Sequence, residues 1–292
     1  SRTYDGIEIK PLYTSEDVAG LPPVNLPGQA PYVRGASATA SAGWDVRPRH
    51  ADPDPARTNA AVLADLANGA SSLWLAVGAG AVAVPDLPAA LRGVYLDLAP
   101  IALDAGTETR AAAEAFLALA AERGVAAAEL SGTLGADPIG TRARCGTEAD
   151  LAMLPELAAA TAGSPRLCVA TVDGTVYHDA GGSDSDEIAV ATSVGVAYLR
   201  ALTAGSAGLD VQAALDALEF RFAVNADQFL SVAKLRAARR VWARVAELSD
   251  VASAARGQRQ HAVTSAAMMT RRDPWVNMLR TTIACFAAAV GG

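Results

Sequence analysis

Lysine occurs only twice in this sequence, as Lys10 and Lys234, and cysteine only three times. Beside the abundant alanine, the shortage of lysine reads as genome composition rather than as function. Cys145, Cys168 and Cys285 are odd in number and far apart, with no CxxC pair and no Cys/His cluster. That excludes a disulfide framework and a structural zinc site, and it predicts three buried thiols in a reducing cytoplasm. A basic excess is missing too: 24 basic residues face 31 acidic ones, a net charge of −7. A nucleic-acid partner is therefore excluded, because neutralising phosphates needs a basic face. No run approaches the roughly 18 uninterrupted apolar residues of a membrane span. The opening SRTYDGIEIKPLYT lacks the apolar core of a signal peptide, so the expectation is a cytoplasmic protein away from membranes. What is present is a chain of 292 residues, 51% apolar and 19% charged, enough to bury a sizeable core as one large or two ordinary domains.

The first 43 residues differ from the rest. Pro11, Pro22, Pro23, Pro27 and Pro31, with Gly20, Gly28 and Gly35, break any regular element. Apolar residues recur there without helical spacing: Ile7, Ile9, Leu12, Tyr13 and Tyr32. Repeated anchors of this kind predict an extended N-terminal arm over residues 1–43 that wraps another surface. Tyr13, Tyr32 and Arg34 are its expected partner contacts, since aromatic and arginine side chains dominate interface hot spots.

From Trp44 onward, strand-sized apolar runs alternate with amphipathic stretches. The expected strands are Trp44–Arg47, Leu73–Val77, Val94–Leu98, Ala128–Thr133, Leu167–Thr171, Glu219–Val224 and Ala262–Ser265. Capping residues place helices at Ala56–Asn68, Thr109–Arg123, Glu148–Ala162, Asp186–Thr203, about Ala226 to Leu248, and Pro274–Val290. Strict alternation needs parallel strands, because each helix returns the chain to its starting end. Gly78-Ala79-Gly80 is too small a fragment for a dinucleotide-binding turn, since Ala83 stands where a third glycine belongs. Seven consecutive units favour a (β/α)8 TIM-type barrel over residues 44–292. The sequence stops where an eighth strand belongs, so the expectation is a barrel lacking its eighth unit in this chain. Leu73, Leu75, Tyr95, Leu130 and Phe220 are the expected inward residues, sealing the axis with hydrocarbon.

Three segments are more specific. Thr3-Tyr4-Asp5-Gly6-Ile7 with Pro11-Leu12-Tyr13-Thr14 is the first; Lys234-Leu235-Arg236-Ala237-Ala238-Arg239-Arg240 with Trp242 is the second; Asp273-Pro274-Trp275-Val276-Asn277-Met278-Leu279-Arg280 is the third. Together, collinear from Thr3 to Gly292, they resemble the methylmalonyl-CoA mutase family. The resemblance implies an arm, a (β/α)8 barrel, and in catalytic members a pantetheine chain along the barrel axis. It also implies adenosylcobalamin held by a separate domain, and a bacterial heterodimer of a catalytic large and an inactive small subunit.

Residue by residue, the catalytic pattern is thin. Arg34-Gly35 leads into residues 36–43, which contain no aromatic ring where catalytic members carry a tyrosine. Leu75–Gly80 offers no charged side chain, and Arg166 reads as a strand-entry surface residue rather than a substrate arginine. Tyr177-His178 is the counter-signal, matching a tyrosine–histidine pair that contacts the thioester carbonyl in catalytic members. His261 lies in a related motif in which Val263 replaces a glutamine, and His50 has no motif and reads as a surface loop residue. No DxHxxG occurs, so no cobalt ligand and no cofactor binding are expected in this chain; adenosylcobalamin belongs to the partner. Asp184, Asp186 and Glu187 read as charge suited to a helix N-terminus rather than a metal site. Arg236, Arg239 and Arg240 read as an exposed face opposite Leu235 and Val241. The reading is a non-catalytic small-subunit-like partner of the catalytic large subunit, inactive alone. The alternative is a divergent mutase barrel using Tyr177, His178 and His261.

Overall fold

The computed structural model describes residues 1–21, 25–38, 43–204, 208–251 and 257–292. Pro22, Pro23 and half of the ring-free stretch after Arg34-Gly35, residues 39–42, lie outside the described residues. Seven strands follow one another in sequence order in one sheet: β1 (Arg49–His50), β2 (Leu73–Ala76), β3 (Ile101–Asp104), β4 (Ser131–Ala136), β5 (Arg166–Asp173), β6 (Leu218–Val224) and β7 (Gln260–Thr264). The described pairings are parallel, so the α/β class stands. Ten helices accompany them among the described residues: α1 (Pro55–Ala67), α2 (Leu87–Ala90), α3 (Thr109–Glu122), α4 (Pro138–Cys145), α5 (Met153–Ala160), α6 (Thr175–Asp179), α7 (Asp184–Thr203), α8 (Val211–Asp216), α9 (Gln228–Leu248) and α10 (Val276–Gly291). The chain divides into two compact units, one of Ala42–Val172 with Val194–Glu219, the other of Ser1–Ser41, Asp173–Ser193 and Phe220–Gly292.

In the β1–β5 unit, Asp54 starts α1 by accepting from the Ala56 amide at 2.9 Å, with Pro55 at the first helical position. Register places Leu73 beside Ile101 and Leu75 beside Leu103, and all four are at most 1% exposed. Gly132 lets β4 lie against β3: its φ is +115°, and a Cβ there would stand 2.0 Å from the Ile101 carbonyl oxygen. The Tyr198 hydroxyl donates to Asp137 at 2.6 Å and accepts from the Ile139 amide at 2.9 Å, securing the start of α4. Burial, then the Asp137 charge, push that hydroxyl far above its ordinary pKa.

In the β6–β7 unit, the Phe220 ring meets the Trp242 ring of α9 at 4.6 Å. Arg221, on the opposite face of β6, is level with His261 of β7. Asp227 caps α9 by accepting from the Leu230 amide at 3.2 Å. The small residues Ala284, Ala287 and Gly291 are the buried ones of α10, and a Cβ on Gly291 would stand 3.0 Å from Leu235 Cδ1.

Several expectations need correction. Trp44–Arg47 is not a strand; β1 begins after Pro48, and Trp44 is exposed. Val94–Leu98 alternates apolar and polar residues but turns on itself, with the Leu98 and Ala99 amides both donating to the Tyr95 carbonyl. The strand is instead Ile101–Asp104, and Tyr95, expected inside, is 73% exposed. β4 starts at Ser131, after a 3-10 turn over Ala127–Glu129, and β7 starts two residues early, at Gln260. α5 is shorter than expected, and α4, α6 and α8 were not anticipated. His50 is not on a surface loop: it is 6% exposed in β1, with Nε2 3.5 Å from Asp65, and burial lowers its pKa. Only Cys168 is a buried thiol; Cys145 and Cys285 are exposed.

The expected hydrocarbon face also fails at β6. Phe220 faces the helix layer, on Trp242. The opposite face of β6 carries Glu219 and Arg221, both 2% exposed. Within the β1–β5 unit Glu219 receives both hydrogen bonds of the Arg47 guanidinium, at 3.0 and 3.1 Å, and Thr133 bonds Thr171 at 3.1 Å. At β6, Phe220 is drawn under α9 and the charged residues take the other face.

Candidate functional site

The polar cluster lies within the β6–β7 unit, at the carboxyl ends of its strands. Asp173, the last residue of β5, organises the turn into α6. One carboxylate oxygen accepts from the Thr175 amide at 3.0 Å and the Thr175 hydroxyl at 2.5 Å; the other accepts from Arg221 Nη1 at 3.0 Å. Gly174 is required between them, since a Cβ there would stand 2.9 Å from Glu187 Cγ and 3.0 Å from the Arg221 carbonyl. Arg221 Nε donates to His261 Nδ1 at 3.4 Å, which assigns the His261 proton to Nε2.

α6 presents Tyr177 and His178. The Tyr177 carbonyl accepts from the Gly182 amide at 2.9 Å and closes the turn toward α7. His178 Nε2 lies 2.7 Å from the Ser265 hydroxyl, and its Nδ1 lies 3.6 Å from Glu187. Burial, then the Lys234 charge, lower the His178 pKa and so favour the neutral ring. Glu187, 0% exposed, accepts from the Ala223 amide at 2.8 Å through Oε1 and pairs with the Lys234 ammonium through Oε2. Lys234, 3% exposed, also donates to Asp184 at 2.8 Å. Burial raises the Glu187 pKa above its ordinary value, and Lys234 offsets part of that.

His178, Asp184 and Glu187 bring ligand-type atoms within 4.8 Å of one another. The positive charge between the two carboxylates is supplied by Lys234. The serine, histidine and glutamate also have the order of an acyl-transfer triad. Yet Ser265 is 3% exposed, and the 3.6 Å separation leaves the imidazole without the short carboxylate bond that orients a base. The Nε2 edge, which a carbonyl ligand would need, already has the serine hydroxyl as partner.

Of the residues singled out from sequence, His178 and His261 reach this cluster, His178 beside Ser265 and His261 beside Arg221, and the Tyr177 carbonyl closes the turn toward α7. The helix-terminus reading holds for Asp186, which exchanges hydrogen bonds with Ser183 at 3.0 and 3.2 Å; it does not hold for Glu187, which faces Lys234. Arg166 does enter β5 exposed, donating to the Glu129 carbonyl at 2.7 Å. Arg239 is not on an exposed face: it is 1% exposed, whereas Val241 is 40% exposed, because the buried stripe of α9 runs through Leu235, Ala238, Arg239 and Trp242. Near the N-terminus, Tyr13 and Arg34 are exposed and Tyr32 is buried at 1%. Sequence reasoning missed Asp173, Arg221, Lys234 and Ser265. Lys234 carried a signal: it stands four and eight residues before Ala238 and Trp242, a charged side chain on an apolar stripe.

Comparison with known proteins adds the lineage. The chain is 55% identical over 292 residues, 99% of its length, to the "Methylmalonyl-CoA mutase small subunit" of Streptomyces virginiae. It is 39% identical to the protein of that name from Propionibacterium freudenreichii subsp. shermanii and 30% identical to the "Methylmalonyl-CoA mutase" of Rhizobium meliloti. It covers 47%, 45% and 45% of those proteins, so the chain spans about half the length of the curated relatives it matches. The family profile of methylmalonyl-CoA mutase matches residues 2–81 and 76–292, nearly every residue, and the chain belongs to the methylmalonyl-CoA mutase family.

Proposed function

We propose that this chain is part of a small-subunit-type component of methylmalonyl-CoA mutase, a non-catalytic partner of a catalytic large subunit in a cytoplasmic heterodimer. The complex would interconvert methylmalonyl-CoA and succinyl-CoA. The carrying observation is the 55% identity to a protein named as a small subunit, against 30% to one named simply as the mutase. The site agrees with it: the His178 edge that would meet a thioester carbonyl is bonded to Ser265 at 2.7 Å.

Sequential parallel strands support seven units of a (β/α)8-type barrel. Residues 1–43 act as the arm. Tyr4, Leu12, Tyr13, Val18 and Leu21 are all more than half exposed, which suits a segment covered by another polypeptide. Tyr13 and Arg34 face that partner, whereas the buried Tyr32 anchors the arm to its own chain.

The residues here do not fit a cobalamin. His50 is 6% exposed within β1, His178 is engaged by Ser265, and His261 accepts from Arg221. Adenosylcobalamin is accordingly assigned to the large subunit. The test is affinity capture of a catalytic large subunit by this chain, paired with a methylmalonyl-CoA titration of the chain alone. Capture without micromolar thioester binding is expected. Thioester binding by the isolated chain would overturn the non-catalytic reading in favour of catalysis through Tyr177 and His178.

A further inference from the structure

Arg239 is a buried cation whose named partners include no carboxylate. Nε donates to the Tyr32 carbonyl at 2.9 Å, Nη2 donates to the Val33 carbonyl at 3.1 Å and to the Gly291 carbonyl, and Nη1 donates to the Gln260 side chain. Three of these acceptors are main-chain carbonyls, and two belong to one short stretch near the N-terminus. The guanidinium fork suits this work, since it aims several donors in one plane where an ammonium aims three from a point. Position helps as well: the Gly291 carbonyl is at the C-terminal, negative end of α10.

The stretch it grips also buries the Tyr32 ring, which is 1% exposed. Its own hydrogen bonds are local turns, from Gly28 to Gly35, Tyr32 to Gln29 and Gly35 to Tyr32. Tyr32 itself sits at a φ of +62°, a conformation a tyrosine keeps only when its surroundings impose it. Further toward the N-terminus, Asp5 accepts a hydrogen bond from Ser185 of α7. Between these two attachments, residues 14–18 form a capped turn, with the Thr14–Asp17 capping box and the Lys10–Asp17 ion pair, and Leu12, Tyr13, Val18, Leu21 and Leu26 are exposed.

We propose that Arg239 is the fastening residue of the N-terminal segment, a guanidinium clip on α9 that fixes the Tyr32–Val33 turn and so presents the exposed residues before it, Tyr13 among them, to the partner polypeptide. The presentation half rests on the proposed function; the clip half does not. A segment held in its binding conformation loses less entropy on association than a free one, so the clip acts on partner affinity without touching the partner.

The experiment is hydrogen exchange at the amides of Gly28, Tyr32 and Gly35 in wild type, Arg239→Met and Arg239→Lys, with α9 and β7 amides as internal controls. Exchange about tenfold or more faster at the three amides is expected in Arg239→Met, with the controls unmoved and Arg239→Lys intermediate. If Arg239→Met fails to fold, Arg239→Lys, which keeps the charge but loses the fork, carries the test. Unchanged exchange in a folded variant, or an equal rise throughout α9 and β7, overturns the clip. Partner capture is measured in parallel: Arg239→Lys should weaken it, and Tyr13→Ala should weaken it without altering exchange. Faster exchange with undiminished capture overturns presentation. Absence of capture by wild type refutes the proposed function and the presentation half together, while the exchange result still decides the clip.

Discussion

Replacing Lys234 with methionine should strand a carboxylate. Glu187 is 0% exposed and would keep one charge-neutral partner, the Ala223 amide at 2.8 Å. Asp184, whose side chain is 25% exposed, can recover water and adds little. Removing one member of a buried ion pair typically costs about 3–5 kcal/mol, and the methionine stem retains the packing of the lysine stem. The loss should depend on pH in a definite direction. Burial already raises the Glu187 pKa above 4.5, and Lys234 opposes that rise; without the ammonium it climbs further. The folded protein then binds this proton more tightly than the unfolded chain, so stability falls as pH rises above the ordinary value and returns as pH falls toward it. Urea unfolding in near-neutral and mildly acidic buffer should show a wide gap between variant and wild type that narrows in acid. The double variant Lys234→Met/Glu187→Gln should recover most of the loss. An equal loss at both pH values, with no recovery in the double variant, would refute the assignment of Glu187 as the stranded group.

Removing Lys234 should also raise the His178 pKa, since the lysine charge is one of the two forces lowering it; an NMR titration of the imidazole reads this, and an unmoved midpoint would contradict it. Phe220→Ala should cost about 3–5 kcal/mol by urea unfolding, through lost contact with Trp242. Gly132→Ala, which aims a methyl at the Ile101 carbonyl, should cost about 3 kcal/mol or more and loosen exchange in β3 and β4. Tyr13→Ala, at a site 57% exposed, should change stability by less than about 0.5 kcal/mol while weakening capture of the large subunit.

The helices with strong caps were legible from sequence: α1, α3, α7, α9 and α10 fall within two residues of their expected bounds. α4 was legible too and went unread, for Asp137 caps it, Pro138 opens it, and Gly146 ends it at a φ of +72°. Val94–Leu98 misled because burial alternates there without a ladder, a pattern that a tight turn over Leu96 produces equally well. The site was half legible. His178 stood out by motif, but its partners Glu187, Lys234 and Ser265 come from three other elements, and local patterning carries no information about which of them meet. The alternation of Glu219, Phe220, Arg221 and Phe222 correctly marks a strand. It does not say which face the helices cover, and that choice reversed the expected character of the opposite face.

That reversal bears on how such a chain changes over time. Arg47 with Glu219, Asp173 with Arg221, and Glu187 with Lys234 pair opposite charges inside the protein. Exchange of either member alone leaves its mate uncompensated, while joint replacement by uncharged residues of like volume is tolerated. Substitutions at these six positions should therefore be accepted in pairs, across separations as long as the 172 positions from Arg47 to Glu219.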